Sequence, residues 1–139
     1  MTTYKYIHNP SIVQNDCLKQ VNVLIQGDRI IKISEIEIED LPLRTEIIEA
    51  KGLILLPGII DTHVHFRQPG LESKADMQSE SKAAIAGGVT TVFDMPNTAP
   101  PTTSLQTLLD KLLLAKENML CNYKFYLGIT NNNLEEAPQ

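Results

Sequence analysis

Ile59-Ile60-Asp61-Thr62-His63-Val64-His65-Phe66-Arg67-Gln68-Pro69-Gly70 is the stretch on which the reading of this chain turns. Ile59 to His65 reads as a strand. Successive strand side chains alternate faces, so Asp61, His63, His65 and Arg67 share one face if the strand extends that far. The Cα atoms of His63 and His65 then lie about 6.6 Å apart, twice the strand rise. Two imidazoles at that spacing can converge on one ion. Pro69-Gly70 is turn chemistry.

Downstream, the grammar is that of alternating strands and helices. A helix is expected with Ser73 and Asp76 at capping-box spacing and Gly87-Gly88 as its stop. A second buried strand runs from Val89 to Met95, and Pro96-Asn97 ends it ahead of Pro100-Pro101. Leu105, Leu108, Leu109, Leu112 and Leu113 form an apolar stripe at helical period, with Thr103 and Gln106 as its capping box. That stripe is expected to be core. A third strand follows from Tyr123 to Ile129. Strand, helix, strand, helix, strand predicts right-handed βαβ units and a parallel sheet.

Upstream, residues 1–56 read as short strands. Val21, Val23 and Ile25 alternate with polar neighbours, and Gly27-Asp28 offers a hairpin turn before Arg29–Ile33. Glu35, Glu37 and Glu39 alternate with Ile36 and Ile38, the period of a half-buried strand with a solvated acidic face. The apolar parity changes between Ile33 and Ile36, which predicts a bulge or turn near Ser34. Leu53–Leu56 is an apolar run punctuated by Pro57-Gly58. The expected division is a β-rich unit over 1–56 and an α/β unit over 57–139.

Size constrains the second unit. A (β/α)₈ barrel takes about 250 residues and rarely fewer than about 200. Only 83 residues (139 − 56) follow the β-rich unit. That suffices for two βα units and one more strand, and Leu134–Gln139 carries no capping or closing pattern. Either the chain is a small three-stranded α/β protein or it is the opening of a barrel, and the second is expected.

Composition excludes several classes. With 42% hydrophobic and 21% charged residues, the chain is ordinary for a globular domain. A net charge of −5 disfavours nucleic acid, whose phosphates need clustered cations. No apolar run reaches the roughly 20 residues of a membrane span. Met1–Tyr6 shows no basic-then-apolar leader, and Cys17 and Cys121 are isolated thiols, expected to be reduced and structural. These features point to the cytoplasm.

Taken singly, the polar residues leave alternatives open. The His63/His65 pair is either a ligand pair or two histidines at a surface. Asp61 is a strand-end group, and Arg67 is a solvated loop cation or an anion binder. Asn97 is a turn residue or a substrate contact. His8 falls outside every pattern.

In combination these motifs resemble one family. Asp61–Gly70 resembles the metal-binding signature of dihydroorotases, members of the amidohydrolase superfamily. Gly87-Gly88-Val89-Thr90-Thr91 and Met95-Pro96-Asn97-Thr98 resemble that family's second strand and loop, and Leu55–Asp61 fits the entry to its first barrel strand. The resemblance implies a metal-dependent (β/α)₈ (TIM-like) barrel preceded by part of a small β-sandwich domain. It implies His63 and His65 as ligands of one or two Zn²⁺ ions, with Asp61 in support. Arg67 and Asn97 would bind the carboxylate of dihydroorotate, since the planar guanidinium fork matches a carboxylate.

The implied reaction is the reversible hydrolysis of the cyclic amide of dihydroorotate to N-carbamoyl-aspartate, a step of pyrimidine biosynthesis. Further ligands and the base are expected beyond residue 139, so the 139 residues alone are expected to be inactive. The implied partners are small-molecule substrates, with homo-oligomer formation left open. Gln68 departs from the family pattern where Glu is common, and Lys74-Ala75-Asp76 is a variant of a charged trio. The rivals are another cyclic amidohydrolase, of allantoinase or dihydropyrimidinase type, and a non-catalytic structural subunit supporting a partner such as a transcarbamoylase. Arg67 argues against the first, because a ring without a carboxylate gives it nothing to pair with. The presence of both histidines argues against the second.

Overall fold

The computed structural model describes residues 3–134; residues 1–2 and 135–139, including most of the tail considered above, lie outside it. The chain divides into two compact units, Met1–Pro57 and Gly58–Gln139.

The first unit holds β1 (Tyr4–His8), β2 (Ser11–Gln14), β3 (Cys17–Gln20), β4 (Asn22–Gln26), β5 (Arg29–Ser34) and β6 (Glu46–Glu49). One sheet has the order β5-β4-β1-β6 and a second pairs β2 with β3. Tyr6, Leu24 and Ile38 form a small core against the larger sheet. The Gly27-Asp28 turn joins β4 to β5, with Gly27 at φ +58°, where the absence of Cβ removes the steric penalty.

The expected strand over 35–39 does not form. Only Ile38 of that segment is buried, and Ile36 is exposed. The Ser34 hydroxyl and the Asn22 amide donate to the Ile36 carbonyl, and the Tyr6 hydroxyl accepts from the Ile38 amide, holding an irregular path. The strand does end at Ser34, where the chain bends at Glu35-Ile36 as expected, and a β-bulge lies earlier. Leu24 pairs with Lys32 while Ile25 pairs with Ile30, so Ile31 is the extra residue.

The second unit is β7 (Ile59–Val64), α1 (Met77–Ala86), β8 (Val89–Asp94), α2 (Leu105–Asn118) and β9 (Asn122–Phe125). The three strands form one parallel sheet in the order β7-β8-β9. Phe66, Met77, Val92, Ala115 and Cys121 are its buried core. Burial raises the Cys121 thiol pKa, whereas Cys17 lies exposed on β3.

Both helix caps differ in register from the sequence reading. Asp76 alone caps α1, accepting from the Ser79 amide at 2.8 Å. That bond, with the Ser79 hydroxyl, lowers the Asp76 pKa. The cap's electrostatic contribution is therefore complete above the ordinary carboxylate pKa and is lost as pH falls through the lowered one. Ser104 and Thr107, not Thr103 and Gln106, form the capping box of α2.

The leucine stripe also turns out differently. Lys111 and Ala115 are the buried residues of α2, while Leu105, Leu109, Leu112 and Leu113 are exposed. Leu108 and Leu114 are half-buried, and Leu114 packs against the core. β7 likewise exposes Ile59 and Ile60. The third strand ends at Phe125, four residues before Ile129.

Candidate metal and carboxylate site

The site grows from the C-terminal ends of β7 and β8, the edge of a parallel sheet where barrel enzymes place their chemistry. β7 ends at Val64, one residue before His65. Phe66 then turns into the core at 5% exposure. Arg67 adopts φ +68°, a left-handed conformation uncommon for a residue with a Cβ. Its position is therefore set by a turn and not by strand alternation, which corrects the expected four-residue face.

His63 and His65 come together. Their ring centroids are 5.2 Å apart with the planes at 64°. The two oxygens of Asn97 and Asp61 meet different parts of this pair. His65 Nδ1 lies 2.8 Å from Asn97 Oδ1. In the tautomer that donates this bond, Nε2 keeps a lone pair available to a metal. Asp61 Oδ1 accepts from the backbone amide of His63 at 3.0 Å, so it orders the strand end and not the imidazole. Among the described residues, no side chain pairs with the Arg67 guanidinium, which is half-buried.

The two loops are joined by their backbones. The Ala99 amide donates to the Pro69 carbonyl at 3.0 Å. Gly70 sits at φ +82°, and a Cβ there would overlap the Ala99 carbonyl. The turn requires glycine through this φ, and the close approach of the second loop requires it again. Gly70→Ala is expected to destabilise the protein by about 1–3 kcal/mol, the scale of a strained backbone position. The urea midpoint checks it, and an unchanged midpoint would show that the loops separate freely.

Gln68 has a definite role despite departing from the common pattern. Its Oε1 accepts from the Met77 amide, in the first turn of α1, at 3.0 Å. Asp76 of the variant trio is the cap of the same helix. Tyr126, just past β9, donates to the Thr62 carbonyl at 3.1 Å.

Sequence reasoning passed over a buried ion pair beneath these loops. Asp94 Oδ2 and Lys111 Nζ are 2.7 Å apart, with both side chains almost fully buried. Asp94 Oδ1 accepts from the Phe66 amide at 2.9 Å, and Lys111 donates to the Met95 carbonyl at 3.0 Å. Lys111 also lies over the Phe125 ring, 4.7 Å from its centroid. The available signal was a carboxylate ending an apolar strand and a lysine four residues before Ala115 on the helix.

Donor chemistry fits a metal in part. Two imidazoles on one strand end suit zinc, but catalytic zinc usually takes three protein ligands. Among the described residues, no group of three or more His, Cys, Asp or Glu is placed to hold an ion.

Comparison with known proteins places the chain. The Amidohydrolase family model matches residues 54–138. The chain belongs to the amidohydrolase family. Its curated relatives include a dihydroorotase of Methanosarcina acetivorans, 38% identical over 130 residues, covering 91% of this chain and 27% of the relative. A dihydroorotase of Staphylococcus epidermidis is 47% identical over 96 residues, covering 69% of this chain and 22% of the relative. The chain thus spans about a quarter of the length of these relatives.

Among solved structures, an L-hydantoinase (dihydropyrimidinase) from Arthrobacter aurescens superposes with a TM-score of 0.88 at 29% identity, covering 98% of this chain and 30% of the other. A dihydropyrimidinase from Brevibacillus agri gives 0.78 at 28% identity, covering 96% and 30%. The fold is α/β, the opening strands and helices of an amidohydrolase barrel preceded by a β-rich unit, as the motifs implied. No helix among the described residues is long and apolar enough to cross a membrane.

Proposed function

We propose that the complete polypeptide is a zinc-dependent dihydroorotase, opening the ring amide of dihydroorotate to N-carbamoyl-aspartate and closing it in reverse. The observation that carries this is the half-buried Arg67 guanidinium, without a side-chain partner among the described residues, two residues beyond His65, whose ring is bonded to Asn97. A site that keeps a cation unpaired beside a ligand pair is prepared for an anionic substrate.

His63 and His65 would hold the metal, whose chemistry when bound is to polarise the scissile carbonyl and make water nucleophilic near neutral pH. Asn97 keeps His65 oriented through Oδ1, which leaves its amide nitrogen to donate to the substrate carboxylate. Arg67 supplies the bidentate fork to the same group. Together they hold the ring in one orientation at the strand ends, which is what converts binding into rate. Remaining ligands and the base come from later barrel strands, so residues 1–139 alone are inactive. The isolated thiols and the acidic net charge support a cytoplasmic, small-molecule enzyme with no nucleic-acid surface.

The likeness to dihydropyrimidinase structures favours a second reading, a cyclic amidohydrolase of neutral rings. It is the weaker one, because sequence identity is higher to dihydroorotases and a neutral ring leaves Arg67 unused. The test follows dihydroorotate consumption by the purified complete polypeptide, before and after chelation and after zinc is restored. Turnover is expected to vanish and return. A metal-replete protein that leaves dihydroorotate intact would overturn the proposal.

A further inference from the structure

Arg67 and Asn97 sit on separate loops, and the structure shows what lies under both. Phe66, between His65 and Arg67, has a buried amide whose acceptor is Asp94 Oδ1. A buried amide without an acceptor is rare and costly, so that bond fixes where the first loop leaves its strand. Met95, two residues before Asn97, has its carbonyl held by Lys111 Nζ and its amide by the Val64 carbonyl at 3.0 Å. Asp94 and Lys111 are themselves joined at 2.7 Å.

Charged residues are seldom buried this completely unless paired. Replacing such a pair with apolar residues of similar volume is often neutral for stability. Stability alone therefore gives this pair little reason to exist. We propose that Asp94 and Lys111 are positioning residues: one buried ion pair grips the Phe66 amide and the Met95 carbonyl, and so sets the distance between Arg67 and Asn97. Neither touches substrate. The inference deepens the carboxylate-binding role proposed above and rests on it.

Two double variants of the complete, metal-loaded polypeptide test it. Asp94→Leu/Lys111→Met removes the pair and the acceptor for the Phe66 amide. Asp94→Asn/Lys111→Gln removes the charges but keeps an oxygen for the Phe66 amide and an amide donor for the Met95 carbonyl. The leucine variant is expected to raise KM for dihydroorotate about 10- to 100-fold, the range for residues that orient a site through its neighbours. The asparagine variant is expected to recover most of that loss. Amide hydrogen exchange at Phe66 and Arg67, read without substrate, should be fast in the first and slow in the second.

A merely structural pair would make KM follow the melting temperature in both variants. Wild-type KM and wild-type Phe66 protection in a folded leucine variant would overturn the proposal. If the leucine variant does not fold, the asparagine variant decides alone: a tenfold rise in KM or loss of Phe66 protection, at unchanged melting temperature, contradicts it. Should the wild-type protein not turn over dihydroorotate, the function proposal fails, while the exchange readout still judges the positioning role.

Discussion

Arg67→Ala in the complete polypeptide is expected to lower kcat/KM for dihydroorotate by about 30- to several-thousand-fold. A desolvated carboxylate deprived of its charged partner loses roughly 2–5 kcal/mol, and each 1.36 kcal/mol is tenfold in rate. Arg67→Lys should recover only part, because an ammonium is a point charge and cannot reproduce two parallel N–H donors. Metal content should stay unchanged in both, placing the loss in substrate recognition. Arg67→Gly provides a separation of backbone from side chain. Residue 67 lies at φ +68°, where glycine carries no Cβ penalty. The glycine variant should be as inactive as alanine while folding at least as stably, as read from urea midpoints. Wild-type kcat/KM in the alanine and lysine variants would reduce Arg67 to a loop cation.

The second large effect is at the ligand pair. His63→Ala/His65→Ala is expected to remove most of the bound metal and at least about 10³-fold of the turnover, since the metal supplies several kcal/mol of transition-state stabilisation. Elemental analysis of the purified complete protein checks the first part and a dihydroorotate assay the second. Asn97→Ala should have a smaller effect of both kinds, because it frees the His65 ring and also removes a donor to the carboxylate. Outer partners of this kind are worth about 10- to 100-fold in affinity or activity. Equal metal content in wild type and the double variant would remove the histidines from the metal site.

Much of this arrangement was legible in the residues, and the failures have physical causes. β7 and β8 are short apolar runs bounded by Gly and Pro, so their existence followed from local chemistry. The His63/His65 spacing followed from strand geometry, and their proximity is what the structure shows. The face expected for Arg67 did not follow from alternation: the strand stops at Val64, and a left-handed residue carries the chain onward. A period of two contains no information about such a turn.

The leucine stripe of α2 failed in another way. Periodicity reports that a helix has an apolar side, not which neighbour covers it, and here Lys111 and Ala115 take the sheet-facing positions. Lys111 reads as a solvated lysine until Asp94, on a different element, supplies its partner. The strand expected over 35–39 failed because alternation was present but only Ile38 had somewhere to be buried. Cap register was missed by one residue in α2, since Thr103 and Ser104 are both competent caps and only tertiary packing selects between them.

A site with Arg67 and Asn97 beside His63 and His65 is expected to select a ring bearing a carboxylate. The most direct measurement is kcat/KM of the complete wild-type polypeptide on dihydroorotate and on the same ring lacking the carboxylate, under identical metal loading. A preference for dihydroorotate of at least about 30-fold is expected, the lower end of the Arg67 contribution. Equal values, or faster turnover of the ring without the carboxylate, would contradict it.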